Sequence, residues 1–244
     1  MARPKTKRPG IRAQHRARKQ ARILAVARAL LRDHGHERLS LRHVARRAGM
    51  SPAGMYEYFD KRDDLIDALV GQANDALTAS LRAATQGAAD PLERLVELGL
   101  AYIRFAREHT ADFLLLYGRR STRRSLAEAV PAGSEYEAIV AAVRDAVSAG
   151  RPDGEVLPFL EVLAYGFWSS IHGMAMLQLG HLAGFGADFA TAHRLLLAGM
   201  ARSWQRADWK QVAVSLAARA SSARAAPLGP TTKPAEPAPP GRTR

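Results

Sequence analysis

The sequence predicts an all-α fold, a small N-terminal three-helix unit joined to a larger helical body. Three observations carry this. Apolar residues recur at helical spacing along most of the chain. No run alternates β-branched residues as a half-buried strand would. Capping residues, twice followed by proline, open one segment after another.

Residues 1–12 read as a basic, proline-containing disordered arm. A first helix over 13–34 carries Ile23, Ala27, Leu30 and Leu31 on one face and ends at Gly35, a natural C-cap. Ser40 caps a helix over 41–48 with Leu41, Val44, Ala45 and Ala48 inward, and Gly49 breaks it. Ser51-Pro52 supplies a capping hydroxyl and then proline where a missing N–H does no harm, opening a helix over 52–58. Asp60 is expected to start the next helix, with Asp63 and Asp64 complementing its dipole. That helix runs to about Ala84 on Leu65, Leu69, Ala73, Leu77 and Leu81.

Asp90-Pro91-Leu92-Glu93 opens a helix to Glu108 bearing Leu95, Leu98, Tyr102 and Phe105. Thr110 is expected to cap a short successor through Tyr117. A helix over 125–149 ends at Gly150-Arg151-Pro152-Asp153-Gly154, and two apolar helices follow over 155–182 and 187–206. From 210 the chain grades into Ala/Ser/Arg and then a Pro-rich tail with too little apolar surface to fold. The expected organisation is 1–12 arm, 13–62 N-terminal unit, 63–209 helical body and 210–244 tail.

The net charge of +13 is not evenly spread. Residues 1–62 carry 17 Lys/Arg against 4 Asp/Glu, while residues 63–244 carry 19 of each, so the whole excess sits in the first quarter of the chain. A cationic module on a neutral body suits a polyanion, nucleic acid or an anionic membrane surface. Val162–Ala187 has no charged residue and is long enough to span a bilayer. It also holds Ser169, Ser170, His172, Gln178, His181 and five glycines, which favours a helix buried on all sides over a transmembrane one. The basic N-terminus lacks the apolar run of a secretory signal. The chain has no cysteine, which excludes disulfides, thiolate metal sites and a thiol nucleophile and fits a reducing cytoplasm. Neither a nucleophile elbow, a phosphate-binding glycine loop nor a His-Glu-x-x-His motif occurs, so no enzyme and no cofactor are expected. Ser169, Ser170 and His172 are neighbours on one helix and have no triad geometry.

Two short helices joined by Ala48-Gly49-Met50-Ser51 fit a helix-turn-helix, the first bracing and the second entering a major groove. Met55 and Phe59 anchor the second helix to the core. Ser40, Arg42, Ser51, Pro52, Ala53, Gly54, Tyr56, Tyr58, Lys61 and Arg62 then form the candidate DNA face. Small residues at 53 and 54 allow close approach to bases, and hydroxyls reach phosphate oxygens. Arg16, Arg18, Arg22 and Arg28 on the first helix are either phosphate contacts or a solvated face.

The segment HERLSLRHVARRAGMSPAGMYEYFDKRDDLIDAL resembles the N-terminal domain of TetR-type regulators at Gly35, Ser40, Val44-Ala45, Ala48-Gly49-Met50-Ser51, Tyr56, Tyr58-Phe59 and a base at Arg62. Arg62 stands where the family more often has lysine, and Gly54 where threonine, alanine or asparagine is commoner. DPLERLVELGLAYIRFAREH and FWSSIHGMAMLQLG resemble the C-terminal domain of a TetR subgroup marked by a Trp…His-Gly motif, here Trp168, His172 and Gly173. The resemblance implies a ligand cavity inside the C-terminal helices, a homodimer through the last two long helices, double-stranded DNA and a small-molecule inducer as partners, and no membrane. Trp168 and His172, four apart, share a helical face. They are read as a hydrogen-bonded core pair, a cavity lining or, least favoured, a metal site. Tyr102, Phe105, Phe113, Leu116, Tyr117 and Met176, with Met174, are core or cavity wall, and a wall of this kind suits a bulky apolar ligand. Arg104 or Gln178 is the candidate for orienting a polar group on it. The function so implied is a ligand-responsive repressor, the alternative a constitutive or architectural DNA-binding dimer.

Overall fold

The computed structural model describes residues 10–35, 39–118, 134–149, 157–209, 211–212 and 214–215. Every regular element among them is helical: α1 (Ile11–His34), α2 (Leu41–Ala48), α3 (Pro52–Tyr56), α4 (Arg62–Thr85), α5 (Pro91–Glu108), α6 (Thr110–Tyr117), α7 (Glu135–Ser148), a 3-10 turn (Leu157–Phe159), α8 (Leu160–Leu179) and α9 (Phe189–Arg206). Met1–Gln205 forms one compact unit and Arg206–Arg244 a second. In the second, residues 211–212 and 214–215 are helical, opened by the Asp208 carboxylate accepting from the Gln211 N–H at 3.1 Å. The rest of the expected tail lies outside the described residues.

Local signals set most boundaries. Ser40 Oγ accepts from the His43 N–H (3.2 Å), Ser51 Oγ from the Gly54 N–H (3.1 Å), and the Asp90 carboxylate from the Leu92 N–H (3.2 Å). Gly49 takes a left-handed conformation (φ 68°, ψ 35°) that glycine adopts at no steric cost, and its N–H closes α2 on the Ala45 and Arg46 carbonyls.

Several expected boundaries need correction, among them the helices expected over 155–182 and 187–206, which span Leu160–Leu179 and Phe189–Arg206. α1 begins at Ile11, two residues into the supposed arm. α3 stops at Tyr56 rather than 58, because the Tyr58 and Phe59 N–H groups both turn back to the Met55 carbonyl (3.0 and 3.2 Å). The N-cap of α4 is Lys61, not Asp60; lacking an acceptor of its own, Lys61 has its N–H taken by the Asp64 carboxylate at 3.1 Å. Thr110 is the first residue of α6 and not its cap, since its hydroxyl donates backward to the Ala106 carbonyl at 3.0 Å. α7 begins at Glu135 behind a Ser134 cap, whose Oγ accepts from the Glu137 N–H (3.3 Å). The expected start at 125 and the glycine-proline stop at 150–154 fall outside the described residues.

The core lies in two places along α4. Ile23, Leu24, Ala27, Leu30 and Leu31 of α1 pack with Val44 and Ala45 of α2 and with Met55 and Phe59. Leu65, Ile66 and Leu69 of α4 and Leu115 of α6 complete that cluster. Farther along, Ala73, Leu77 and Leu81 are fully buried where α4 packs on α5 and α7. α5 is the central helix of the body, flanked by α4, α7 and α8. Gly99 makes this possible, because a Cβ there would stand 2.7 Å from Leu197 Cδ1 of α9, 3.0 Å from Phe167 Cζ and 3.2 Å from Ile171 Cγ2 of α8.

α8 is not buried on all sides, as its charge-free sequence suggested. Leu163, Ala164, Phe167, Ile171 and Ala175 face inward, but Val162 (69% exposed), Tyr165 (57%) and Leu177 (50%) are open in the single chain. α8 packs against neighbours on one side only, and lack of charge reports an apolar surface without saying what covers it. Among the described residues no helix is long and apolar enough to cross a membrane.

Candidate functional site

The α2–α3 pair presents one polar face. Ser40, Arg42, Ser51, Pro52, Ala53, Tyr56 and Lys61 are exposed, while Gly54, Tyr58 and Arg62 are half-buried. Beneath them Met55 and Phe59 reach the core and hold α3 in place. Ser40 and Ser51 spend an acceptor lone pair on their caps and keep the O–H to donate. Tyr56 is 51% exposed on the same face.

Tyr58 packs against the core cluster, and the Arg16 guanidinium lies 5.3 Å above its ring, a cation–π arrangement. Arg16 Nη2 also donates to the Glu57 carbonyl at 2.8 Å, which fastens α1 to the end of α3. Arg62 is tied inward as well, its Nε–H donating to the Leu39 carbonyl at 2.7 Å. Arg18 and Arg22 are exposed on α1. Arg28 is not part of the polar face. Its Nε stands 3.1 Å from the Asp112 carboxylate of α6, and its Nη2 donates to Gln72 Oε1 of α4 at 3.2 Å.

In the body, α5, α6, α7 and α8 bring together an aromatic cluster with a hydrogen-bonded centre. The Trp168 Nε1–H donates to the Tyr102 hydroxyl at 3.3 Å, and that hydroxyl shares a hydrogen bond with His172 Nδ1 at 3.0 Å. An indole only donates and a neutral imidazole accepts, so Tyr102 mediates between the two. Phe113 stacks on His172 (centroids 5.5 Å apart) and meets Tyr102 edge-on (5.4 Å), while Tyr117 meets His172 edge-on (4.8 Å). Burial pushes the Tyr102 and Tyr117 hydroxyls well above the usual phenol range and lowers His172 below its ordinary value, so the centre is uncharged at neutral pH.

Of the sequence candidates, Tyr102 and Phe113 are fully buried in this cluster and Tyr117, Trp168 and His172 half-buried in it. Phe105 is buried against His109 (4.7 Å), Leu116 is half-buried and Met174 likewise. Met176 lies one helical turn beyond His172 on α8 but is 41% exposed, so it is not part of the buried cluster. Arg104 is exposed, whereas Gln178 lines a separate small cavity with Arg107, Phe185 and Phe189.

Two members of the cluster escaped sequence reasoning. The Tyr117 O–H donates to Glu135 Oε1 at 3.3 Å, and Tyr136 meets the Trp168 ring edge-on at 5.6 Å. Desolvation raises the Glu135 carboxyl, and its hydrogen bonds to its own N–H and to Tyr117 oppose that rise. The signal was present in Ser134-Glu135-Tyr136-Glu137, a serine three residues before a glutamate. Among the described residues no group of three or more histidines or carboxylates is placed to hold a metal ion.

Comparison with known proteins agrees with this architecture. Residues 23–69 match the family model described as bacterial regulatory proteins, tetR family, and residues 95–202 match tetracyclin repressor-like, C-terminal domain. The chain is 31% identical over 153 residues to the HTH-type transcriptional regulator Rv1816 of Mycobacterium tuberculosis, covering 62% of this chain and 65% of that one. The chain thus spans just under two thirds of that relative's length. It is 27% identical over 97 residues to the HTH-type transcriptional repressor KstR2 of the same species, covering 40% and 48%. A solved structure of a protein with unknown function from Rhodococcus sp. RHA1 superposes with a TM-score of 0.62 at 26% identity, covering 83% of this chain and 98% of that one.

Proposed function

Since the chain belongs to the TetR family of bacterial regulatory proteins, we propose that it is a cytoplasmic DNA-binding transcription regulator. It acts as a repressor that binds a palindromic operator as a homodimer and is released by a small apolar or amphipathic inducer. The observation that carries this reading is the α2–α3 face. A row of exposed hydroxyls, small residues and bases stands on a buried anchor, in the quarter of the chain that holds the entire positive excess. Ser40, Arg42, Ser51, Tyr56 and Lys61 contact phosphates, Pro52, Ala53 and Gly54 lie against base edges, and Tyr58 and Arg62 support them from behind.

Dimerisation is assigned to the open faces of α8 and α9, where Val162, Tyr165, Leu177, Leu195 and Leu196 are all at least half exposed. A second copy covering them would set two α3 helices about 34–36 Å apart, one turn of B-DNA. The inducer site is assigned to the space around Tyr102, Phe105, Phe113, Leu116, Tyr117, Trp168 and His172. The Tyr102–His172–Trp168 hydrogen bonds support reading the Trp…His-Gly residues as the subgroup's motif. An inducer that prefers a spread dimer shifts the population away from DNA in proportion to its differential affinity.

The test is fluorescence anisotropy of a labelled fragment from the promoter of its own gene, at moderate salt, with size-exclusion chromatography for the dimer. Saturable binding by a dimer is expected, with displacement by a compound whose binding Trp168→Ala abolishes. Failure to bind the fragment refutes the regulator. Binding that no such compound relieves favours a constitutive or architectural protein.

A further inference from the structure

The DNA face and the aromatic cluster leave unused the place where α1, α4 and α6 meet. Arg28 reaches across it, to Asp112 on α6 and to Gln72 on α4. Asp112 is buried, with 8% of its surface exposed. Beside this ion pair, α1 and the first turns of α6 border a half-open cavity of about 690 Å³, within the size range of small-molecule sites. Leu31, Ala111, Leu114 and Leu115 give it apolar lining, and Arg28 and Arg32 line it together with Asp112 and Glu108.

Arg28 brings more donors here than its hydrogen bonds use. Arginine has five N–H donors. Arg28 commits one through Nη2, its Nε stands 3.1 Å from Asp112 Oδ1 without a hydrogen bond, and Arg32 is exposed. The one buried acid, Asp112, is already engaged with Arg28, and the remaining acid of the lining, Glu108, is at the exposed end of α5. His109 adds a third base to the rim. An apolar wall facing guanidinium forks matches a ligand with a carboxylate head and a hydrocarbon body.

We propose that the cavity between α1 and α6 is a second small-molecule site, which takes an amphipathic carboxylate. Its hydrocarbon part lies on Leu31, Leu114 and Leu115, and its head group binds Arg28 and Arg32. Occupancy competes with Asp112 and Gln72 for Arg28, and so bears on how firmly α1 is held to α4 and α6. The site stands apart from the inducer site proposed above, and it holds or fails without reference to DNA.

Calorimetric titration of the full-length protein with decanoate, decylammonium and decanol tests it. Saturable binding of decanoate, with decanol weaker and decylammonium weakest, is expected. Ala111→Trp fills the cavity and weakens decanoate by about tenfold or more, equivalent to about 1.4 kcal/mol. Arg32→Gln, at an exposed position that folding tolerates, weakens decanoate and leaves decanol unchanged. Trp168→Phe leaves decanoate binding as it is. Circular dichroism confirms that each variant is folded, and Arg32→Gln decides if Ala111→Trp is not. The proposal is overturned if decanoate does not bind at millimolar concentration, or if decylammonium binds as well. It also falls if the cavity and arginine variants bind like the parent, or if Trp168→Phe abolishes binding.

Discussion

Replacing Gly99 by alanine sets two effects of opposite sign against each other. An exposed helical glycine gains about 1 kcal/mol on becoming alanine, from reduced backbone freedom in the unfolded chain. At Gly99 the new methyl would stand 2.7 Å from Leu197 Cδ1, 3.0 Å from Phe167 Cζ and 3.2 Å from Ile171 Cγ2. Ordinary carbon contacts lie at about 3.5–4.0 Å, so all three neighbours must retreat. Each of them is fully buried (0% exposed), and Ile171 is β-branched and stiff. Overpacking of this kind costs about 1–3 kcal/mol, enough to cancel the propensity gain and exceed it. The expected net is a loss of about 1 kcal/mol, which lowers the melting midpoint by about 2–4 °C in a chain of this size. Urea unfolding followed by far-UV circular dichroism measures it, at one fixed protein concentration because association adds to apparent stability. Leu197→Ala removes the worst contact, so the Gly99→Ala penalty should shrink by on order of 1 kcal/mol in that background. A Gly99→Ala protein more stable than its parent would refute the close crossing of α5 with α8 and α9.

Tyr102→Phe deletes the hydroxyl between Trp168 and His172 and leaves the indole N–H and the imidazole without it. A loss of about 1–3 kcal/mol in urea unfolding is expected, and a neutral outcome would mean that water or a neighbour replaces it. Burial holds His172 below its ordinary value of 6.5, so on acidification the unfolded chain takes up that proton before the folded one. Stability is therefore expected to fall as pH drops below about 6.5, and His172→Gln should flatten this dependence. His193, lowered by burial and by Arg107, keeps a share of it, so an unchanged slope in the variant would exclude His172 as a contributor. Arg42→Ala removes an exposed base from the α2–α3 face. Anisotropy titrations should show weaker DNA binding at all sequences and a log K–log salt slope smaller by about 1, and a sequence-dependent loss would place Arg42 on a base instead.

What the sequence made legible is what short-range chemistry decides. Ser40, Gly49, Ser51 and Asp90 act on backbone groups within four residues, and each does what its neighbours require. Arg28 was not legible, because its partners are on α4 and α6 and only the folded chain brings them near. The exposed row on α8 was hidden for a different reason, since an apolar stripe looks the same whether it is sealed within one chain or left open. Of the aromatic cluster, Trp168 and His172 were named through the resemblance to the Trp…His-Gly subgroup, and Tyr102, Phe113 and Tyr117 as core or cavity wall. Glu135 and Tyr136 lay within the expected helix over 125–149 but were not singled out, because their partners Tyr117 and Trp168 are on other helices.

The seam along α4 bears on how such a protein could be taken apart and recombined. Leu65, Ile66 and Leu69 belong to the same packed cluster as α1, α2 and Phe59, and Leu115 reaches that cluster from α6. A chimera spliced at the first residues of α4 would strip the DNA-facing module of three of its own core side chains. Carrying the module to Leu69 keeps those three and leaves the recipient to supply what α6 gives, Leu115 and Ala111 against the cluster and Asp112 beside Arg28. A working transplant is therefore an exchange of one module through the second turn of α4, into a host whose own α6 presents a leucine and an acid to it.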